Sequence, residues 1–174
     1  MNEVRRSAFA GQWYPGTARE LRRTIEGFLA RAEPTETSQE VVGLISPHAG
    51  YAYSGQTAAY AYNQVRDASF DIVAVLSPLH HMPLGRFALT SADAYETPLG
   101  LVALDKELVG ALAKEVPTSR AGYDGEHSIE IQLPFLQVVL GDFSLLPVMI
   151  GDPSFAAGEE LGAALAHVLD GRRA

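Results

Sequence analysis

The chain contains no cysteine in its 174 residues. That absence excludes a disulfide framework, a thiolate nucleophile and any thiolate ligand to a metal from within these residues. Blocks of lysine and arginine are missing as well, and the formal net charge is −8 with an isoelectric point near 5.0. Nucleic acid and anionic membrane surfaces both reward clustered positive charge, so neither is expected as a partner. No apolar run approaches membrane-spanning length, and residues 1–10 carry Arg5 and Arg6 without the long apolar stretch of a secretory leader. The expectation is a cytoplasmic protein that handles a small molecule or a peptide.

Two common catalytic signatures are incomplete. Gly50-Tyr51-Ala52-Tyr53-Ser54-Gly55-Gln56-Thr57 has the glycine and hydroxyl spacing of a phosphate loop, but Gln56 stands where the lysine would meet the phosphates. Ser54, Ser77 and Ser128 lie beside histidines, yet none sits in a Gly-x-Ser-x-Gly elbow. Nucleotide binding and serine hydrolysis are therefore poor readings.

What the chain does have is 47% hydrophobic residues spread along its length, enough for one α/β domain over residues 1–174. Thr17 and Glu20 form a capping-box pattern, and Leu21, Ile25, Phe28 and Leu29 follow at helical spacing, predicting a helix over residues 18–32. Residues 33–40 read as a loop and residues 41–46 as a short buried strand, with a helix over 56–65. Strands are expected at 70–76, 87–90, 101–103 and 145–150, the last at an edge or bulge because of Pro147. Asp105 can cap a helix over 106–116, residues 118–125 read as a loop, and a helix is expected to start at Glu126-His127-Ser128 and run to Leu140 with a kink at Pro134. Asp152 and Pro153 open a last helix through Leu169. This alternation predicts an α/β fold with a central, mostly parallel or mixed sheet flanked by helices. Such a series normally returns from a helix to another strand, so the ending on a helix reads as an interrupted series with further sequence expected, although a terminal helix that covers the sheet is equally legal.

Four of the five histidines lie in three short clusters: Pro47-His48-Ala49-Gly50-Tyr51, Pro78-Leu79-His80-His81 and Glu126-His127-Ser128. The first two follow apolar runs. Imidazoles emerging from the ends of neighbouring strands can share an ion, and prolines beside them stiffen the loops. Two histidines with one carboxylate would suit non-haem iron, whereas a third histidine or a water-bearing position would suit zinc. Asp93, Asp124 and Glu126 are the candidate oxygen ligands. Satisfied turn histidines are the plainer alternative.

Taken with Ala10-Gly11-Gln12-Trp13-Tyr14-Pro15, Tyr53-Ser54-Gly55, Tyr95-Glu96-Thr97-Pro98-Leu99-Gly100 and Ile129-Glu130, these clusters resemble the Memo family, known in prokaryotes as protein B of the AmmeMemoRadiSam system. The order and spacing match over nearly the whole chain. The resemblance implies the fold of class III extradiol ring-opening dioxygenases, with His48 and His80 at the metal positions and Trp13, Tyr53 and His81 in the same pocket. It implies an acid-base role for His127 beside Glu126. A divalent transition metal is implied, iron first, with zinc or copper as alternatives.

Two functions follow from the resemblance. One is a non-haem, metal-dependent oxidoreductase of dioxygenase type; the other is a non-catalytic adaptor that uses the pocket for a peptide or protein partner. Association with radical SAM and other AmmeMemoRadiSam proteins, and oligomer formation, are compatible with both. Leu79 departs from the small polar residue usual before the His pair. The chain also stops before the family's C-terminal part, where a Ser-Ser-Asp strand and a pocket cysteine are expected and where the dioxygenases carry a glutamate, so the resemblance places the third ligand beyond Ala174.

Overall fold

The computed structural model describes residues 3–33, 41–81, 83–122 and 125–174. Seven strands and five α-helices are found among them: β1 Val4–Arg5, α1 Ala18–Arg31, α2 Tyr51–Tyr62, β2 Ile72–Pro78, β3 Phe87–Thr90, β4 Ala94–Thr97, β5 Gly100–Ala103, α3 Lys106–Glu115, β6 Thr118–Ala121, α4 Leu133–Val139, β7 Ser144–Ile150 and α5 Phe155–Val168. The class is mixed α/β. The strands divide into two mixed sheets, one in the order β2-β7-β3-β6 and a smaller one in the order β1-β4-β5.

Helix α1 forms as its sequence dictates. The Thr17 hydroxyl accepts from the Glu20 amide and donates to the Glu20 carboxylate, while Leu21, Ile25 and Leu29 place one buried stripe against the core. Its neighbour α2 comes close at Gly55, where an added Cβ would stand 2.5 Å from the Phe28 ring. Phe28, Tyr51, Tyr62 and Phe135 then pack as an aromatic cluster that joins α1, α2 and α4. Two hydroxyls in this cluster reach outward. Tyr51 donates to the Ile131 carbonyl at 3.0 Å, Tyr62 contacts the Gln132 side chain at 2.5 Å, and Gln132 donates onward to the Pro47 carbonyl. Burial raises both phenols well above their ordinary range, so they stay protonated donors. In this way the packing between helices fixes the loop that carries His48.

The core of the larger sheet is the parallel pair β2 and β7, in register from Ile72↔Ser144 to Pro78↔Ile150. β3 pairs antiparallel with the end of β7 and parallel with β6. β7 is therefore central, contrary to the expectation raised by Pro147. The missing N–H of Pro147 is tolerated because, among the described residues, the side of β7 away from β2 has no ladder partner there, between the Leu104 bridge at Leu145 and the β3 ladder at Met149.

Other elements also differ from the sequence reading. Residues 118–121 form strand β6 rather than loop, because their backbone completes a ladder with β3. Residues 128–132 are turns, and the helix begins only at Leu133, with Pro134 in its first turn, where a missing N–H costs nothing. The Ser154 hydroxyl caps α5, and the Asp152 carboxylate instead accepts from the Ser154 amide. Residues 41–46 form no strand. Val42 is 93% and Ile45 98% exposed, and the segment joins no ladder among the described residues.

Candidate metal centre

The carboxyl end of β2 delivers the first ligand candidate. His80 follows Pro78 by two residues, and the intervening Leu79 amide is held by the Ile150 carbonyl at 2.9 Å. Ser128 donates to the Pro78 carbonyl at 3.0 Å and draws the 126–128 segment to the same place. The His48 loop arrives from the α2 side, where the Tyr51 amide donates to the Trp13 carbonyl at 2.8 Å. Gly50 eases that approach, since a Cβ there would stand 3.3 Å from the same carbonyl oxygen, a tight contact that would push the two segments slightly apart.

Three separate loops thus converge. The rings of His48 and His80 are 5.3 Å apart, those of His48 and His127 5.6 Å, and those of His80 and His127 4.8 Å, centre to centre. One ring nitrogen from each lies within 4.8 Å of the others, a grouping that could hold a metal ion. Nitrogens on a tetrahedral zinc at about 2.0–2.1 Å would sit roughly 3.3 Å apart, so small rotations of the rings close the gap. His80 is exposed and the other two are half-buried, so the cluster opens to solvent. The donor set fits a cation that prefers nitrogen, and three imidazoles suit zinc, copper, iron and nickel.

Glu126 prepares this cluster from beneath. Only 3% exposed, it accepts from the backbone amides of His80, His127 and Ser128 at 2.8, 2.9 and 3.0 Å and faces His80 Nδ1 at 2.9 Å. Burial alone would raise its carboxyl, but the hydrogen bonds from His80 and Ser128 outweigh burial and lower it to about 2. An ionised carboxylate only accepts, so Nδ1 of His80 carries the proton and Nε2 keeps a free lone pair. Glu126 therefore orients the His80 ring, and both its oxygens are taken up by these donors.

The ring of His127 is held below its ordinary value, first by burial, with Glu126 opposing and the neighbouring histidines adding repulsion. It is thus kept neutral, the form that binds a cation. Its ring lies against Trp13 at 4.4 Å and Phe9 at 5.8 Å, and these two aromatics form one wall of the site. His81 stands exposed beside His80 at 5.8 Å. Tyr53, on the first turn of α2, is 90% exposed. Asp93 is engaged elsewhere, with Lys106 and the Glu3 amide, and Asp124 lies outside the described residues.

Three contributors went unassigned in the sequence reading: Arg5, Phe9 and Glu130. Glu130, fully buried, accepts from Arg5 at 2.6 Å, from the Tyr14 hydroxyl at 2.6 Å and from the amides of Ala8 and Phe9. Arg5 also donates to the Glu126 carbonyl at 2.5 Å and lies over the Tyr95 ring. This network fastens the N-terminal segment to the 126–130 segment and so seats Phe9 and Trp13 on His127. The available signal was Glu130 itself, a charged residue within the apolar stretch that follows His127.

Comparison with known proteins gives the family. The family model for Memo-like protein matches residues 5–174. The MEMO1 family protein of Nitrosopumilus maritimus is 34% identical over 178 residues, 97% of this chain and 64% of that protein. A MEMO1 family protein of Thermoplasma volcanium is 35% identical over 93% of this chain and 61% of its own length, and Protein MEMO1 of Homo sapiens is 35% identical over 91% and 55%. The chain thus spans between 55% and 64% of the length of these relatives.

Proposed function

Because the chain belongs to the Memo-like protein family, we propose that it carries a metal centre in which His48, His80 and His127 hold one divalent transition-metal ion, iron in the redox-active form. The centre acts as a dioxygenase-like oxidoreductase on a small aromatic diol. The observation that carries the reading is the convergence of three imidazole nitrogens within 4.8 Å at the end of β2, one of them oriented by a buried, ionised carboxylate.

When bound, the metal would supply Lewis acidity and a one-electron couple beside the substrate oxygens. The protein residues do the remaining work. Glu126 fixes the tautomer of His80, and the three amides that hold Glu126 keep the carboxylate from turning toward the ion. Trp13 and Phe9 offer an apolar wall for an aromatic ring. His81, exposed beside His80, would accept a proton from a diol hydroxyl. Ring opening of a catechol by O₂ places both oxygen atoms in the product, so no separate reductant is required.

The reading is tested by anaerobic calorimetric titration of Fe(II), followed by O₂ uptake with catechol. One-to-one binding that is lost in His48→Ala, with catechol-dependent O₂ uptake, supports it. Binding without uptake across a panel of aromatic diols would confine the function to metal binding, and no binding would end the proposal.

A further inference from the structure

Tyr14, Tyr51 and Tyr62 are all buried, but their hydroxyls meet different partners. Tyr51 donates to the Ile131 carbonyl and Tyr62 contacts the Gln132 side chain, so each rests against an amide oxygen too weakly basic to take a proton. Tyr14 alone of the three donates to a carboxylate, Glu130 Oε1, at 2.6 Å. Arg5 and the Ala8 amide occupy Oε2, and Oε1 faces the phenol and the Phe9 amide. Burial, with Glu130 close by, holds the Tyr14 hydroxyl far above the ordinary phenol range, and it therefore keeps its proton at physiological pH.

The residue before Tyr14 belongs to the cleft. Trp13, the one tryptophan of the chain, is half-buried and lies 4.4 Å from the His127 ring. With no cysteine within these residues, indoles and phenols are the side chains that most readily give up one electron. A phenol does so more easily when a base stands ready for its proton, because an oxidised phenol is a strong acid. Trp13 and Tyr14 thus set an electron donor at the cleft beside a phenol whose proton acceptor is already in contact.

We infer that Trp13 and Tyr14 form a one-electron relay, in which an oxidant in the cleft draws an electron from Trp13, Tyr14 refills the indole, and the Tyr14 proton crosses to Glu130. The oxidant is an organic peroxyl radical, the species that O₂ forms with carbon radicals. It takes the electron from Trp13 and a proton from solvent and leaves as a hydroperoxide. The Trp13 cation radical then takes one electron from Tyr14, and the phenolic proton moves to Glu130 along the existing hydrogen bond. In sum, one peroxyl radical, one solvent proton, the Tyr14 phenol and the Glu130 carboxylate become one hydroperoxide, the Tyr14 phenoxyl radical and the Glu130 carboxylic acid, so atoms and charge balance. The oxidising equivalent leaves the neighbourhood of three imidazoles and ends in the core. It stops at Tyr14, because Tyr51, 5.6 Å away ring to ring, has only a carbonyl facing its proton. The relay uses no metal, so its failure and that of the proposed centre are distinguishable.

The test uses the metal-free chain with photogenerated tris(bipyridine)ruthenium(III) as oxidant, followed by transient absorption and freeze-quench electron paramagnetic resonance, which separate indolyl from phenoxyl radicals. Exposed phenols such as Tyr53 react at once, whereas the relay gives a delayed phenoxyl signal that rises as the indolyl signal falls. Trp13→Phe should lower the delayed signal at least tenfold, and Tyr14→Phe should remove it and lengthen the indolyl lifetime at least tenfold. Glu130→Gln should slow the rise at least tenfold. Deuterated water should slow it in the unaltered protein, a readout that does not depend on how well a variant folds. Peroxyl radicals from a thermally decomposed azo compound should bleach Trp13 fluorescence at least threefold faster in Tyr14→Phe, since the indole is no longer refilled. An indolyl signal that decays with no delayed phenoxyl, a delayed phenoxyl that persists in Tyr14→Phe, a rise indifferent to deuterated water, or equal bleaching in the two proteins overturns the proposal.

Discussion

Replacing Glu126 by glutamine keeps the shape of the side chain and removes its charge. The carboxylate accepts through both oxygens: Oε1 takes His80 Nδ1 and the amides of His127 and Ser128, and Oε2 takes the His80 amide. A glutamine can keep its oxygen at the first position, but its amide nitrogen then faces the N–H of His80, donor against donor. One buried donor left unpaired costs about 1–3 kcal/mol. The shift of the carboxyl from 4.5 to about 2 corresponds to up to about 3 kcal/mol, which screening by solvent in the open cleft reduces to about 2 kcal/mol. Both routes put the loss near 2 kcal/mol at pH 7.

The sign of the pH dependence follows from the same shift. The folded carboxyl is the stronger acid, so its contribution is complete above the unfolded value near 4.5 and is lost as the pH falls toward about 2. Urea unfolding of both proteins at pH 7, 4.5 and 3 should therefore show a gap of about 2 kcal/mol that narrows below pH 4.5. A gap under about 0.5 kcal/mol at pH 7, or one of constant size down to pH 3, would refute the reasoning, since it would mean that the hydrogen bonds do not hold the carboxylate ionised. The same substitution should weaken metal binding about 10–100-fold, as loss of an orienting partner does elsewhere.

Glu130→Gln should cost about 2–3 kcal/mol in urea unfolding because it weakens the buried, charge-assisted hydrogen bond from Arg5, whereas Arg6→Ala, in an exposed pair with Glu96, should cost less than about 1 kcal/mol. Gly55→Ala should lower stability by about 1–3 kcal/mol, read by the same method, because its methyl meets the Phe28 ring between α1 and α2. Gly151→Ala should be at least as costly, since the added Cβ collides with the backbone carbonyl of Gly85, which cannot rotate aside. Trp13→Ala should leave the fold intact by circular dichroism and raise the pH at which the His127 ring protonates, followed by NMR, because it removes part of the burial that lowers that ring.

Local signals carried a good part of the fold. The capping box of α1, the Asp105 cap of α3 and the apolar runs of β2 and β7 depend on residues a few positions apart, and each element forms close to where its pattern places it. Elements that depend on a distant partner were not legible in that way. Thr118–Ala121 has little apolar character and becomes a strand only because β3 lies beside it, while residues 41–46 have the composition of a strand and join no ladder among the described residues. Residues 128–132 stay turns because the Gln132 and Leu133 amides bond three residues back, to the Ile129 and Glu130 carbonyls, and Pro134 has no N–H with which to continue a helical ladder from Glu130. At the site, His48 and His80 were readable from their place after apolar runs. His127 was read as an acid-base group, and its approach to both other rings emerges only from the folding of three loops onto the end of β2. The Arg5–Glu130 pair spans 125 positions, and no local pattern announces it.

The most direct test of the centre is X-ray absorption fine structure of the protein loaded with one equivalent of zinc, which counts the imidazoles bound to the ion. The arrangement of His48, His80 and His127 requires three, at about 2.0–2.1 Å, falling to two in His127→Ala. Two imidazoles in the unaltered protein, with no change in His127→Ala, would contradict it and leave His127 beside the ion rather than on it.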